Sequence, residues 1–326
     1  MRYVLRRLPV LVITLWAAVT LNFLLPRLMP GTPAGAAVAK LAGQGSVSAS
    51  ERRAIEVMLG VPHGSLASQY WQYLKAIAGG NFGISYTYFP EPVSKVIGAA
   101  LPWTLALVGT VTVMAFVIGT LLGVLAAWKR GSIFDTAASV GCTFMAAFPY
   151  FWTALVLLYV FGFVAGWFPI RGGYSASVSP GWDWSFFVSA LGHSVLPAFT
   201  ILVSGLGGWV LGMRNNMMGV LGEDYIVFAE ANGLSPRTVA LRYAARNALL
   251  PGVTAFGMAL GLVVGGSLLT EVVFGYPGIG YLLYNAVVNE DYPLMQALFL
   301  VITVSVLMAN FVVDLIYGLL DPRVRR

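Results

Sequence analysis

Residues that could carry out chemistry are scarce in this chain and do not form a catalytic pattern. The two histidines, His63 and His193, lack the H-E-x-x-H spacing of a zinc protease, and Cys142 is the only cysteine. A disulfide framework and a cysteine-based metal site are therefore excluded. A serine–histidine dyad would have to pair His193 with Ser267, which no G-x-S-x-G pattern surrounds.

Nucleotide hydrolysis within the chain is disfavoured as well. The phosphate-binding loop G-x-x-x-x-G-K-[ST] places a lysine directly after a glycine, and no lysine here follows a glycine. We predict that the chain has no catalytic residue, cofactor or metal site of its own. Any ATP and magnesium would then be bound by a partner.

The composition explains why reactive groups are so few. Hydrophobic residues make up 58% of the 326 residues and charged residues only 10%, and the mean hydropathy is +0.80. These values are typical of an integral membrane protein. The net charge of +6 comes from Arg and Lys at the ends of apolar runs, which indicates orientation in a bilayer and not nucleic-acid binding.

Six apolar runs are long enough to cross the hydrocarbon core of a membrane, which takes about 20 helical residues. The predicted spans are 8–29, 101–127, 135–165, 195–220, 247–273 and 294–319. Because a lipid-exposed backbone must satisfy its own hydrogen bonds, these runs predict an all-α membrane protein. The third run is expected to bend near Pro149, since proline breaks the helical hydrogen-bond pattern.

Most of the Lys and Arg residues flank the spans on one side, which predicts that both termini and the segment 221–246 are cytoplasmic. The segment 30–100 would then be a large extracytoplasmic loop. Its aromatic residues could contact a ligand or anchor the loop at the membrane interface, and the sequence leaves both alternatives open.

The long polar interruption within 224–251 predicts two short helices that meet at a corner. Asp224 is expected to cap the first helix and Gly233 to end it in a left-handed conformation, while Ser235 and Pro236 start the second. By the spacing of three and four, Ile226, Ala229, Glu230 and Gly233 fall on one face. This face could be a docking surface, and the alternative is a solvated loop with ordinary caps.

Ionisable groups at membrane depth are costly and therefore point to function. Glu271, near the end of the fifth span, could support an irregular turn or contact a substrate, and with Ser267 and Thr270 it is a candidate for the translocation pathway or gate. Asp314, in the sixth span, is expected to pair with a nearby arginine or helix terminus. We group it with Arg246 as a structural charge-pair candidate.

Several motifs together carry a resemblance to a known family. They are RYVLRRLPVL with LPRLMPGTPA, LGVLAAWKRGSIFD, DYIVFAEANGLSPRTVALRYAARNALLPGVT, TEVVFGYPGIG, NEDYPLMQALFL and NFVVDLIYGLLDPR. The chain resembles, over nearly its whole length, the first permease subunit of bacterial ABC importers of the dipeptide, oligopeptide and nickel class. Each motif alone is weak, and their agreement along the chain is specific.

The resemblance implies a six-helix subunit of the bacterial inner membrane that assembles with a homologous second permease, two cytoplasmic ATPases and an extracytoplasmic binding protein. It also implies that the 221–246 segment contains a coupling helix that enters a groove on the ATPase. The matching positions are Tyr225, Ala229, Glu230, Ala231, Gly233 and Arg237. Where the wider importer pattern has Ile-x-Leu-Pro, this chain reads Tyr243 to Arg246, as peptide-class members do.

The cargo is not determined by the motifs, since members of this class carry peptides, oligosaccharides or nickel complexes. We expect di- or oligopeptides. Two other classes of function stay open at this point: an ion-coupled secondary transporter that uses Asp314 and Glu271, and a membrane scaffold without transport.

Overall fold

A computed structural model describes residues 2–28, 35, 38, 48–58 and 64–320 of the chain. These residues are almost entirely helical, and the only extended pairing within them is an isolated bridge between Ile84 and Pro92. The helices are α1 (Arg2–Leu28), α2 (Ala49–Met58), α3 (Leu66–Ala78), α4 (Val93–Trp128), α5 (Ile133–Ala146), α6 (Tyr150–Val164), α7 (Trp184–Val220), α8 (Asp224–Ala231), α9 (Pro236–Val263), α10 (Leu268–Phe274), α11 (Ile279–Val288) and α12 (Tyr292–Leu320).

The expected all-α membrane architecture is confirmed. Within the described residues, α4, α7, α9 and α12 are long and apolar enough to cross a membrane, and the bent pair α5–α6 makes a fifth such element. The pair turns by 93° between Ala146 and Tyr150, so the bend expected near Pro149 is present. The apolar part of α1, Pro9–Leu25, is shorter than a full span.

The expectation of one helix over 247–273 is wrong at both ends. Helix α9 begins at Pro236, so the second polar helix runs directly into the apolar one, and it ends at Val263. The chain then breaks before α10, where Gly266 adopts a left-handed φ of 71°. Two successive glycines, Gly265 and Gly266, explain this break, because glycine has low helix propensity and tolerates positive φ.

One compact unit consists of residues 1–104, 264–268 and 277–326. Its core joins the first turns of α4 to α11 and α12 through buried aliphatic side chains, among them Val93, Ile279 and Leu298. Helix α1 packs along α12, where the side-chain amide of Asn22 donates a hydrogen bond of 2.6 Å to the carbonyl of Gln296.

A buried carboxylate fastens the segment before α4 to the start of α12 in this unit. Asp291 is fully buried and accepts hydrogen bonds from the Ser85 hydroxyl, from the Thr87 backbone N–H at 2.8 Å and from the Leu294 N–H at 3.2 Å. One side chain thus caps a helix and orders a loop. Beside it, burial raises the pKa of Tyr86 and the charge of Asp291 raises it further, so Tyr86 stays neutral at physiological pH.

Substituting Asp291→Ala is expected to release this loop, because the Ser85 hydroxyl and the Thr87 N–H would lose their shared acceptor. Unsatisfied buried donors cost about 1–3 kcal/mol each. Limited proteolysis and amide hydrogen exchange should show faster cleavage and exchange in residues 84–92. Unchanged protection of these residues would contradict the proposed role, and Glu91→Ala, which removes an exposed carboxylate of the same loop, is the matched control.

The second compact unit consists of residues 105–263 and 269–276. Helices α4 and α7 form its most extensive contact. Gly119 and Gly123 of α4 are buried and face Trp209, Val210 and Met213 of α7, which leave no room for a Cβ atom at either glycine. A Gly-x-x-x-Gly pattern is typical of such close helix contacts in membranes.

Candidate coupling surface

The polar corner is built from α8, a tight turn and the first turns of α9. Gly233 has a φ of 78°, as expected. Its N–H donates to the Glu230 carbonyl at 2.9 Å, and the Leu234 N–H donates to the Ala229 carbonyl at 3.3 Å. These two bonds define a Schellman motif that ends α8. The chain then turns into α9, where the Ser235 hydroxyl accepts from the Thr238 N–H and Pro236 occupies the first helical position.

The expected cap at the start of α8 is wrong. Glu223 holds the N-cap position with extended backbone, and its side chain makes no capping hydrogen bond. Asp224 is the first residue of the helix, where its charge is favourable because the N-terminal end of a helix carries partial positive charge.

The four residues that the sequence spacing placed on one face of α8 do not share one environment: two are buried and two are exposed. Ile226 and Ala229 are buried in a cluster with Met213 and Met217 of α7 and with Val239, Ala240 and Ala244 of α9. Glu230 and Gly233 are exposed. Ala229 therefore supports the helix from within its own chain, and it does not lie beside Glu230 on a single outward face.

The outward face of the corner is larger and more apolar than the sequence suggested. Tyr225, Glu230, Ala231, Gly233 and Arg237 are all exposed, which the coupling role requires. Val227 and Phe228 are exposed as well, with 71% of the Phe228 surface accessible. Reasoning from the motif missed these two residues, although an aromatic residue on a helix that faces water indicates a contact surface.

Asn247 connects the two helices of the corner. Its amide donates to the Tyr225 hydroxyl at 2.9 Å and to the Tyr243 carbonyl at 3.1 Å. Shortly before Asn247, α9 contains a π-helical turn over Val239–Ala244. Such turns are frequent at functional sites. The bond fixes α8 to the part of α9 that leads into the apolar helix.

A buried ion pair lies one helical turn from the cluster under α8. The Arg214 guanidinium of α7 donates twice to Asp135 of α5, with Nη2 at 3.0 Å from Oδ2. Asp135 also accepts from the Gly131 N–H at 3.0 Å. Only 6% of the Asp135 side chain and 23% of the Arg214 side chain are exposed. Asp135 is the last residue of the motif LGVLAAWKRGSIFD, whereas Arg214 lies outside the quoted motifs, and nothing in the sequence indicated that they meet.

The gate candidates lie where α9 gives way to α10. Thr270 and Glu271 are fully buried, and the Glu271 carbonyl accepts the Tyr276 N–H at 2.8 Å. The Tyr276 hydroxyl in turn lies 3.1 Å from that of Ser194 on α7. The Glu271 bond belongs to its backbone, so the role of its carboxylate, as of Ser267 and Thr270, stays a prediction.

The grouping of Arg246 with Asp314 as a charge-pair candidate stays a prediction. Arg246 is exposed on α9. Asp314 belongs to α12, but its side chain lies outside the described part. The ion pair between α5 and α7 is the buried one that the structure places near the corner.

Comparison with known proteins decides the family. Residues 119–326 match the model of the binding-protein-dependent transport system inner membrane component. The chain belongs to this family. Its motifs, its apolar helices and the exposed polar corner agree with that assignment.

Similarity to this permease family extends over the whole chain. The di/tripeptide transport system permease protein DppB of Pseudomonas aeruginosa is 35% identical over 99% of this chain and 98% of its own length. The oligopeptide transport system permease protein AppB of Bacillus subtilis is 32% identical over 99% and 98%. The dipeptide transport system permease protein DppB of Escherichia coli is 33% identical over 100% and 99%. The chain is thus a multi-pass inner-membrane permease subunit of an ABC importer.

Proposed function

We propose that this chain is one of two permease subunits of an ATP-driven importer that takes up di- and oligopeptides from an extracytoplasmic binding protein. ATP and magnesium are bound by two cytoplasmic ATPase partners. The chain crosses the inner membrane six times, with both termini and the 221–246 segment in the cytoplasm. The peptide cargo is inferred from the relatives, which are named for di-, tri- and oligopeptides.

The observation that carries this proposal is the way the exposed corner is joined to the helices behind it. Phe228 and Glu230 face outward, while Ile226 and Ala229 of the same helix are buried against α7 and α9. A partner that moves α8 must therefore move the ends of both long helices. Because α9 is continuous from Pro236 to Val263, such a displacement reaches the membrane interior as a lever motion.

Each group at the corner has a distinct role in this mechanism. Phe228 fills an apolar pocket of the ATPase groove, and Glu230 makes a charge-assisted hydrogen bond at its edge. Gly233 sets the angle between the two helices, and Arg237, exposed at the start of α9, adds a cation beside Glu230 in the docking surface. Ser267, Thr270 and Glu271, which follow α9 in the sequence, are the candidate pathway or gate residues. Closure of the ATPases switches the pathway between its inward-open and outward-open states.

The test is ATP-dependent uptake in proteoliposomes that contain the chain with its partner permease, ATPases and binding protein. Glu230→Ala and Gly233→Pro are each expected to reduce dialanine uptake by about ten-fold or more, since one such charge-assisted contact contributes about 1.5–3 kcal/mol. Proline cannot adopt the positive φ of Gly233, and it lacks the N–H that Gly233 donates.

Glu223→Ala is the matched control, because Glu223 is an exposed carboxylate about two turns away whose side chain makes no capping hydrogen bond. Its uptake should equal that of the wild type. Full uptake by Glu230→Ala or Gly233→Pro would contradict the coupling role. Uptake that persists without the ATPases and follows a proton gradient would overturn the importer assignment itself.

A further inference from the structure

The elbow between α5 and α6, defined as residues 144–152, belongs to the second compact unit and is exposed along its whole length. Every residue from Thr143 to Trp152 is exposed. The backbone turns by 93°, and Pro149 at the start of α6 provides neither an N–H nor a side-chain cap. The Ala147 and Phe148 N–H groups donate to the Phe144 and Met145 carbonyls. The bend leaves the remaining carbonyls at the end of α5 and the first amides of α6 outside the helical hydrogen-bond pattern.

Contacts with α7 place this elbow deep along a membrane-crossing helix. Asp135 pairs with Arg214, the Cys142 carbonyl would lie 3.0 Å from a Cβ atom on Gly207, and Ala154 shares a buried cluster with Leu196. Helices α5 and α6 therefore run antiparallel to α7, so that later residues of α5 and α6 contact earlier residues of α7. The elbow lies beside the part of α7 between Gly207 and Leu196, about 18 Å from Arg214 at 1.5 Å per residue. With Arg214 taken as the cytoplasmic edge of the span, this level is near the centre of a hydrocarbon core of about 30 Å.

Lipid cannot satisfy polar backbone groups at this depth. Irregular backbone is tolerated there only where other protein covers it or where it lines a water-filled cavity. Among the described residues nothing covers the elbow, and an open, mainly apolar groove of about 390 Å³ runs along α5 up to Phe144, lined also by Ser139, Val140 and Thr143. Near the same level of α7, the buried Ser204 hydroxyl has no hydrogen-bond partner in the described residues.

Aromatic rings form a ladder on this bend. The rings of Phe144 and Phe148 meet edge to face with centroids 5.0 Å apart, and Phe148 stacks on Trp152 at 5.3 Å with nearly parallel planes. Aromatic faces attract ammonium groups, and free backbone carbonyls accept N–H donors. A short peptide, with its terminal ammonium and its amide N–H groups, presents both of these partners.

We infer that the elbow lines the hydrated translocation pathway and that its ladder, Phe144, Phe148 and Trp152, is a contact site for the passing peptide. The inference rests on the proposed permease function. In this inference the elbow contacts water and the transported peptide, and it does not form a dry interface with the second permease.

Cysteine accessibility tests this inference in the complete reconstituted complex. In a Cys142→Ala background, Phe148→Cys is expected to react with a charged, membrane-impermeant thiosulfonate about ten-fold faster than Val113→Cys, because only the elbow meets water at membrane depth. Val113 is the matched control, since it is exposed on α4 six residues before the contact of Gly119 with α7. Dialanine supplied with the binding protein and ATP should slow the reaction at position 148.

Dialanine uptake by the Cys142→Ala complex keeps the two proposals distinguishable. If this complex takes up dialanine while Phe148→Cys reacts no faster than Val113→Cys, the pathway assignment is overturned and the permease function stands. Disulfide cross-linking of Phe148→Cys to the second permease without reagent access would also overturn it, in favour of a dry interface. If rapid, ATP-sensitive labelling occurs without uptake of dialanine or of a longer peptide, the assignment of the elbow to the hydrated pathway stands and the proposed peptide cargo is wrong.

Discussion

The substitution Gly123→Leu is expected to prevent the chain from accumulating as a folded membrane protein. A Cβ atom on Gly123 would lie 2.6 Å from the Val210 carbonyl and 2.7 Å from the Met213 Cβ. Both obstacles belong to the backbone or to the first side-chain atom of α7, so no rotamer change relieves them. The two helices must separate along the most extensive contact of the unit, and the packing that holds α7 in place is lost.

Alanine and leucine substitutions at two glycines of α4 measure the cost of this steric clash. Gly123→Ala is expected to lose about 1–3 kcal/mol, the usual cost of overpacking, and Gly123→Leu to leave little monodisperse protein after extraction in mild detergent. Gly98→Ala and Gly98→Leu are the controls, because a Cβ on Gly98 of α4 meets nothing within 4 Å. Wild-type yield and thermal stability for Gly123→Leu would show that α4 and α7 do not pack as the structure places them.

Much of this fold follows from hydrophobic runs and from a few glycines and prolines. The run 135–165 with its Pro149 predicted a bent element, because the effect of proline on a helix is a local steric rule. The break after α9 was missed although Gly265 and Gly266 stand in the sequence. Single glycines are tolerated within apolar helices, so whether a pair ends a helix is decided by tertiary packing.

In the candidate coupling surface, too, the features set by local sequence could be predicted and those set by tertiary contacts could not. Spacing placed the left-handed Gly233 and the start of α9 correctly, since the Schellman motif and the Ser-Pro start are encoded locally. It failed to separate buried Ala229 from exposed Glu230, because the side on which α8 packs depends on α7, which is adjacent in space through Met213 and Met217. Asp135 and Arg214 are 79 residues apart, and only the fold brings them together.

That ion pair is the second position where a large effect is expected. It fixes the start of α5 to α7 next to Met213, a residue of the cluster that buries Ile226 and Ala229. Asp135→Ala would leave the Arg214 guanidinium without its carboxylate and the Gly131 N–H without its acceptor. Removing one member of a buried pair is strongly destabilising, whereas replacing both by apolar residues is often neutral. We therefore expect Asp135→Ala to lower Tm and the double variant Asp135→Leu with Arg214→Met to recover it.

Transport should respond differently from stability in these variants. If the pair transmits movement from the corner at α8 to the α5–α6 elbow, the double variant will be stable yet uncoupled: its partner ATPases will hydrolyse ATP while dialanine uptake falls several-fold. The ratio of peptide taken up to ATP hydrolysed measures this coupling, and a merely structural pair would leave that ratio unchanged once Tm is restored. Arg130→Met, which removes an exposed cation five residues before Asp135, is the control, and its ratio should match that of the wild type. A normal ratio in the stable double variant would restrict the pair to holding α5 on α7, and coupling would then pass from α8 through α9 alone.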